Sequence, residues 1–201
     1  MSTKNDVRST QTRGALVRAA RALFAEEGYA ATSTPAIVQA ARVSRGALYH
    51  HFADKADLFA AVVEFEQAEV ARVIEETSEE GLDPVESIIA SGESFLEAMR
   101  DPGRRRILVV DGPAVLGSEV MREIDARHGG QTLVSGIERA VAAGTMKPVP
   151  VAAMANLLGA AFDRAAEVQD HDEAEHRAAL WSLIDGLRAP RRPARSTGRR
   201  A

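Results

Sequence analysis

The sequence predicts an all-α fold, a small three-helix head followed by a larger helical body, and three observations carry that prediction. Apolar residues recur at helical spacing between Gly, Pro and Ser/Asp punctuation, and no segment combines period-two alternation with β-branched enrichment. Charge is segregated: residues 1–55 hold eight basic and four acidic groups, residues 56–187 hold 11 basic and 25 acidic, and residues 188–201 hold six basic and none acidic. At 201 residues the chain can bury a sizeable core, as one unit or as a head joined to a body. The expected divisions are a flexible N-terminal arm at 1–8, the head at 9–55, the body at 56–188 and a disordered basic tail at 189–201.

The first helix, about 9–27, carries Leu16, Ala20, Leu23 and Phe24 on one face and Arg13, Arg18 and Arg21 on another. It stops at Gly28, a residue suited to a left-handed C-cap. Ser33 or Thr34 caps a second, short helix with Pro35 at its first position, followed by Ile37, Val38 and Ala41. After a turn at Arg42 and Val43, Ser44 caps a third helix with Ala47 and Leu48 on its apolar side and Phe52 just beyond. A long helix starts near Asp54 and keeps its apolar stripe through Leu58, Phe59, Val62, Val63, Val70, Val73 and Ile74 until Gly81. Asp83-Pro84-Val85-Glu86 starts the next, with Asp as cap, Pro in the first turn and Glu86 reaching back. Asp101-Pro102 restarts the chain, and the apolar run 107–110 fits a short buried helix that Gly112-Pro113 breaks. A helical pattern over about 117–143 is interrupted at Gly129-Gly130 and ends at Gly144, and closing helices span about 151–169 and 173–187.

Residues 33–55 form two short helices joined by a tight turn and followed at once by a longer helix, which is a helix-turn-helix layout. In such a motif the first helix braces the backbone and the start of the second enters the major groove. Thr34 and Ser44 place hydroxyls and free N–H groups at helix N-termini, where phosphate is favoured. Gly46 and Ala47 are small enough for close approach, and Arg45 is the base reader, because its fork can donate twice to guanine. Tyr49 and Lys55 are expected to clamp phosphate, with double-stranded DNA as the partner. His50 and His51 diverge around the helix, one near phosphate and one packed or solvated, so they form no metal site.

This stretch resembles the TetR (tetracycline-repressor-like) family of bacterial regulators. The resemblance rests on Phe24, Gly28, Tyr29, Thr32-Ser33-Thr34, Ile37, Ala40-Ala41, Val43-Ser44, Gly46 to Phe52, Lys55 and Leu58, in the family's order and spacing over about residues 10–60. In the body it rests on Asp111-Gly112-Pro113-Ala114-Val115-Leu116-Gly117 with Arg122-Glu123-Ile124-Asp125, similar to the effector domain of one branch. It implies a homodimer on a near-palindromic operator, a small-molecule effector cavity in a ligand-binding and dimerisation domain, and repression relieved by that ligand. Arg42 stands where the family usually has Gly, and a non-Gly residue in a left-handed turn costs about 1 kcal/mol. Either the turn differs slightly here, or a phosphate contact from Arg42 offsets that strain.

Under that implication, Phe65, Phe95, Met99, Val110, Leu116, Met121 and Phe162 line an effector cavity or serve as plain core. Asp111, Asp125 and Asp163 either hydrogen-bond a ligand or cap and pair. The small residues of the helix from 151, including Ala155 and Gly159, with Leu180, Trp181 and Ile184 of the last helix, are the expected dimer interface. The chain has no Cys, so disulfides, thiolate nucleophiles and Cys-ligated zinc are excluded. There is no Walker loop, no GxGxxG after a strand and no HExxH, so neither an enzyme nor a cofactor is expected. With no apolar h-region in Met1 to Arg13 and no stretch near the roughly 20 apolar residues of a membrane span, the expected setting is the cytoplasm. The basic tail either grazes phosphates or solubilises the chain.

Overall fold

A computed structural model describes residues 4–77, 81–128, 130–168 and 172–190. Ten α-helices are assigned among them: α1 (Lys4–Glu27), α2 (Thr34–Ala41), α3 (Arg45–His51), α4 (Lys55–Thr77), α5 (Pro84–Ala98), α6 (Pro102–Arg105), α7 (Gly112–Arg127), α8 (Gly130–Ala142), α9 (Val151–Glu167) and α10 (Glu173–Gly186). A π-helical turn, Arg106–Asp111, joins α6 to α7. The only sheet-like pairing among the described residues is an isolated antiparallel bridge between Met146 and Arg188.

The head forms because local signals agree with its core. Gly28 ends α1 at φ 84°, a backbone angle that L side chains rarely adopt. Leu16, Ala20 and Phe24 of α1, Ile37 of α2, Leu48 of α3 and Leu58 and Phe59 of α4 are fully buried together. The Phe24 ring meets Phe59 edge-on at 5.1 Å and Tyr29 stacks on it at 5.7 Å.

In the body, α5, α7, α8 and α9 surround a second part of the same core, with Ile107, Ile137, Met146 and Ile184 fully buried. Met146 and Arg188 are held by strand-like bonds: Lys147 N donates to Leu187 O at 2.9 Å and Ala189 N to Thr145 O at 2.9 Å. Ala189, the first residue of the tail expected at 189–201, is therefore tied down; residues 191–201 lie outside the described residues.

Three boundaries also differ from expectation. The arm expected at 1–8 is helical from Lys4, because α1 runs on without a break; residues 1–3 lie outside the described residues. Ser33 is the cap of α2, so Pro35 takes the second helical position, where its missing N–H is equally harmless. Gly112-Pro113 does not break the chain: Pro113 sits in the first turn of α7, and the interruption falls at Gly117, with φ 80° and ψ 158° inside the helix. Gly112 serves close packing instead, since a Cβ there would lie 2.8 Å from Ile107 O and 2.9 Å from the Met121 side chain.

Candidate nucleic-acid interface and effector cavity

The turn between α2 and α3 is a Schellman closure: Val43 N donates to Val38 O at 3.2 Å and Arg42 N to Gln39 O at 3.1 Å. This places Arg42 at φ 55°, ψ 39°, in the left-handed region, with its side chain exposed. Ser33 Oγ accepts from Ala36 N at 3.3 Å and Ser44 Oγ from Ala47 N at 3.1 Å, which fixes the starts of both helices.

α3 has one buried anchor, Leu48, and an outward face of Arg45, Gly46, Tyr49 and His50, with Ala47 half-buried. The Arg45 guanidinium lies over the Tyr49 ring, 5.5 Å from its centroid. Hydrogen bonds from Thr34 and then Arg45 pull the Tyr49 phenol below its ordinary pKa, so Thr34 joins this face from α2. His51 turns partly inward beside Phe52, and burial, then His50 and Arg13, lower its pKa; His50 points out. No group of metal-ligating side chains is found among the described residues.

Lys55 departs from the expected phosphate clamp. Its Nζ donates to Tyr29 O at 2.7 Å and Thr32 O at 2.9 Å and lies 4.1 Å from the Tyr29 ring centroid. The cation is thus committed to the carbonyls left open between α1 and α2, and acts as an internal strut.

Head and body are joined by buried charge. Glu66 of α4, 1% exposed, accepts from Arg21 Nε of α1 at 2.5 Å and from Arg104 Nε of α6 at 2.7 Å. Arg106 Nη1 donates to Ala25 O at 3.0 Å and Glu26 O at 2.7 Å, capping the end of α1. Asp111, expected in the cavity, instead accepts from Tyr29 N at 2.9 Å and belongs to this junction. Gly103 lets α6 sit against α1, since a Cβ there would lie 2.5 Å from the Ala25 Cβ. None of these links follows a local motif; Glu66 within the apolar stripe of α4 is the one sequence signal that points to them.

A cavity of about 590 Å³ opens in the body. α7 supplies Met121, Arg122 and Asp125, α5 supplies Phe95 and Gly92, α9 supplies Phe162, Asp163 and Gly159, and the π-helical turn supplies Leu108 and Val109. The expected Phe95, Met99, Met121, Asp125, Asp163 and Phe162 are therefore brought together. Phe65 is not: it is 39% exposed on the outer side of α4. Val110 points outward, 57% exposed, because the π-turn widens the spacing of successive side chains. Leu116 packs on the core without lining the cavity.

The expected dimer residues divide. Leu180 and Ile184 are already buried in their own protomer, at 3% and 0% exposure, and so have no surface to offer a second copy. Ala155 is buried and lines the cavity, Gly159 lines it too, and Trp181 packs edge-on against Phe162 at 5.9 Å. The outward face of α9 and α10 carries Leu157 and Leu183, 65% and 59% exposed, among Ala153, Ala160, Ala178, Ala179 and Gly186. Phase decides this: the apolar residues of α10 fall on two faces, and tertiary packing selects Leu180 and Ile184 as the inner one.

Comparison with known proteins fits this geometry. Residues 16–62 match the family model described as "Bacterial regulatory proteins, tetR family", and residues 85–188 match "Tetracyclin repressor-like, C-terminal domain". The chain is 32% identical over 110 residues to the HTH-type transcriptional regulator AcrR of Shigella flexneri, covering 54% of this chain and 51% of that protein. It is 37% identical over 76 residues to the HTH-type transcriptional repressor AcnR of Corynebacterium glutamicum, covering 38% of this chain and 40% of that one. The matches thus span about half or less of these curated relatives. The crystal structure of a TetR-family transcriptional regulator from Pectobacterium atrosepticum superposes with TM-score 0.77 at 32% identity, covering 95% of this chain and all of that one.

Proposed function

The chain belongs to the tetR family of bacterial regulatory proteins, and on that footing we propose that it is a ligand-responsive homodimeric repressor that reads a near-palindromic operator in the cytoplasm. It is a DNA-binding transcriptional regulator rather than an enzyme, and no helix among the described residues is long and apolar enough to cross a membrane. The observation that carries the finer reading is the outward face of α3, where Arg45, Gly46 and Tyr49 stand clear of the core beside Arg42 and Thr34. Arg45 reads a base edge; Thr34, Tyr49, Arg42 and His50 meet phosphate.

Two heads must lie about one turn of DNA apart, about 34 Å, to engage two half-sites. The Leu157–Leu183 face of α9 and α10 pairs with its copy to set that spacing. Ligand in the cavity presses on Leu108 and Val109, and the π-helical turn that carries them also carries Arg106 and Asp111 against the head. A ligand that favours another setting of this turn weakens DNA binding, and DNA weakens ligand binding by the same factor.

Fluorescence anisotropy of the full chain against its own upstream intergenic DNA and a scrambled duplex, at two salt concentrations, tests this. A preference of about a thousandfold or more is expected. Equal, steeply salt-dependent binding to both would leave only electrostatic attraction and overturn operator reading. Sedimentation of Leu183→Arg addresses the dimer: a folded monomer is expected, and a folded dimer would refute the proposed face.

A further inference from the structure

A second, smaller cavity of about 260 Å³ opens between α5, α6, α9 and α10, and among the described residues it shares only Met99 with the larger one. Leu96, Met99, Ala165 and Ala166, all buried, give it an apolar floor. Arg100, Arg105 and Arg177 bring three guanidinium groups to its wall, against the single carboxylate of Glu173 among the described lining residues. Glu173, the first residue of α10, answers them poorly. Its Oε1 is shared by Arg100 Nη2 and Arg177 Nη2 at 3.4 Å each, whereas a charge-assisted bond settles at about 2.7–2.9 Å. Arg177 Nη1 also pairs with Glu93 at 3.0 Å and Arg100 Nε with Glu97 at 3.3 Å. Those two carboxylates lie outside the lining and hold the outer edges of the guanidinia, which leaves each Nη2 to Glu173. A carboxylate free of the backbone can offer one oxygen to each guanidinium at normal distance, which the tethered Glu173 does not.

We propose that this smaller cavity is a second ligand site, for a small aromatic or apolar carboxylate whose anion takes the place of the Glu173 carboxylate between Arg100 and Arg177 and whose body lies on the floor of Leu96, Met99, Ala165 and Ala166. The volume falls just below the range of drug-sized sites, about 300–1,000 Å³, which limits the occupant to a single ring or a short chain. Arg105 adds positive charge to the wall from α6. A cation is repelled by this wall, and a neutral amide lacks the charge that the guanidinia answer. The site is separate from the larger cavity and from the face of α3, so its failure leaves the proposed function untouched.

Calorimetric titration of the full chain with benzoate and with benzamide, nearly identical in shape and different in charge, tests the class. Benzoate is expected to bind at least about tenfold more tightly. Arg100→Gln/Arg177→Gln, checked for fold by circular dichroism, is expected to abolish the preference. Glu173→Ala removes the internal competitor and is expected to tighten benzoate binding by about threefold or more, where a merely structural Glu173 would leave it unchanged or weaken it. Equal or benzamide-favouring binding, no binding of either, or unchanged or weakened benzoate binding in Glu173→Ala would overturn the proposal. So would a preference that survives in the double variant, as it would if benzoate lay in the larger cavity instead.

Discussion

The head and the body solve opposite problems with the same kind of helix. In the head, short helices close around Phe24, Ile37, Leu48 and Phe59, each at 0% exposure, and the starts of α2 and α3 and the turn between them are satisfied locally. In the body, the chain accepts a π-helical turn at 106–111, a kink at Gly117 and a cavity of about 590 Å³. Under the proposed function, a surface that reads base edges has to hold its side chains still, whereas a sensor has to have room and a segment that can rearrange. Glu66 with Arg21 and Arg104, and Arg106 and Asp111 against the end of α1, tie the head to the body.

The largest expected effect comes from breaking the rigid side. Phe24→Ala removes the ring at the centre of the head and is expected to cost about 3–5 kcal/mol in chemical denaturation, with loss of DNA binding. Phe162→Ala, at a wall that already borders empty space, should cost less; an equal or greater loss would mean that the body is packed as tightly as the head. Next, Glu66→Gln keeps the shape of the junction but leaves one acceptor oxygen for two guanidinium donors, so one ion pair weakens to an ion–dipole bond and the other bond is lost, for about 2 kcal/mol. Its operator affinity should change along with its stability, and stability loss with unaltered ligand-linked release would show that the junction is only structural.

The two regions differed equally in how far their sequence could be read. Gly28 and Ser44 announce their conformations because caps and turns are decided by nearest neighbours, and both stand as expected; Ser33 takes the cap that Thr34 also offered, and Arg42 keeps the left-handed turn without a glycine. Lys55 misled because a lysine after a recognition helix is ordinarily free to meet phosphate, and only the fold brings the Tyr29 and Thr32 carbonyls to its ammonium. In the body, periodicity located α9 and α10 but left open which face turned inward, so Leu180 and Ile184 were placed at a surface that belongs to Leu157 and Leu183. Asp111, polar among apolar neighbours, fits either a ligand contact or a cap by sequence, and only the π-helical turn, which carries its carboxylate to Tyr29 N, decides for the cap.

Smaller effects sharpen the contrast further. Arg42→Gly relieves the left-handed backbone at φ 55° and should raise thermal stability by up to about 1 kcal/mol. If Arg42 meets a phosphate, the same change weakens operator binding and lowers the salt slope by about one; unchanged affinity and slope would remove the contact. The smallest effect is a pH dependence in the body. Burial, with Asp125 and Glu167 near, makes Asp163 hold its proton more tightly folded, with pKa about 6, than unfolded, with the ordinary carboxyl value of 3.8, so the folded state gains stability as pH falls through about 6 toward 4 and loses it as pH rises again. Melting curves of Asp163→Asn should lack that part of the slope, and an identical pH profile in the two proteins would contradict the raised pKa.

The account stands or falls on whether α3 reads bases, and Arg45→Ala probes that directly in anisotropy titrations against the upstream duplex and its scrambled counterpart. Arg45 is exposed, so the variant should fold as the parent does. Loss of about 1–3 kcal/mol from the specific complex, with the salt-dependent binding to scrambled DNA nearly intact, is the predicted result. An undiminished preference for the upstream duplex would contradict base reading by Arg45 and move recognition to another surface.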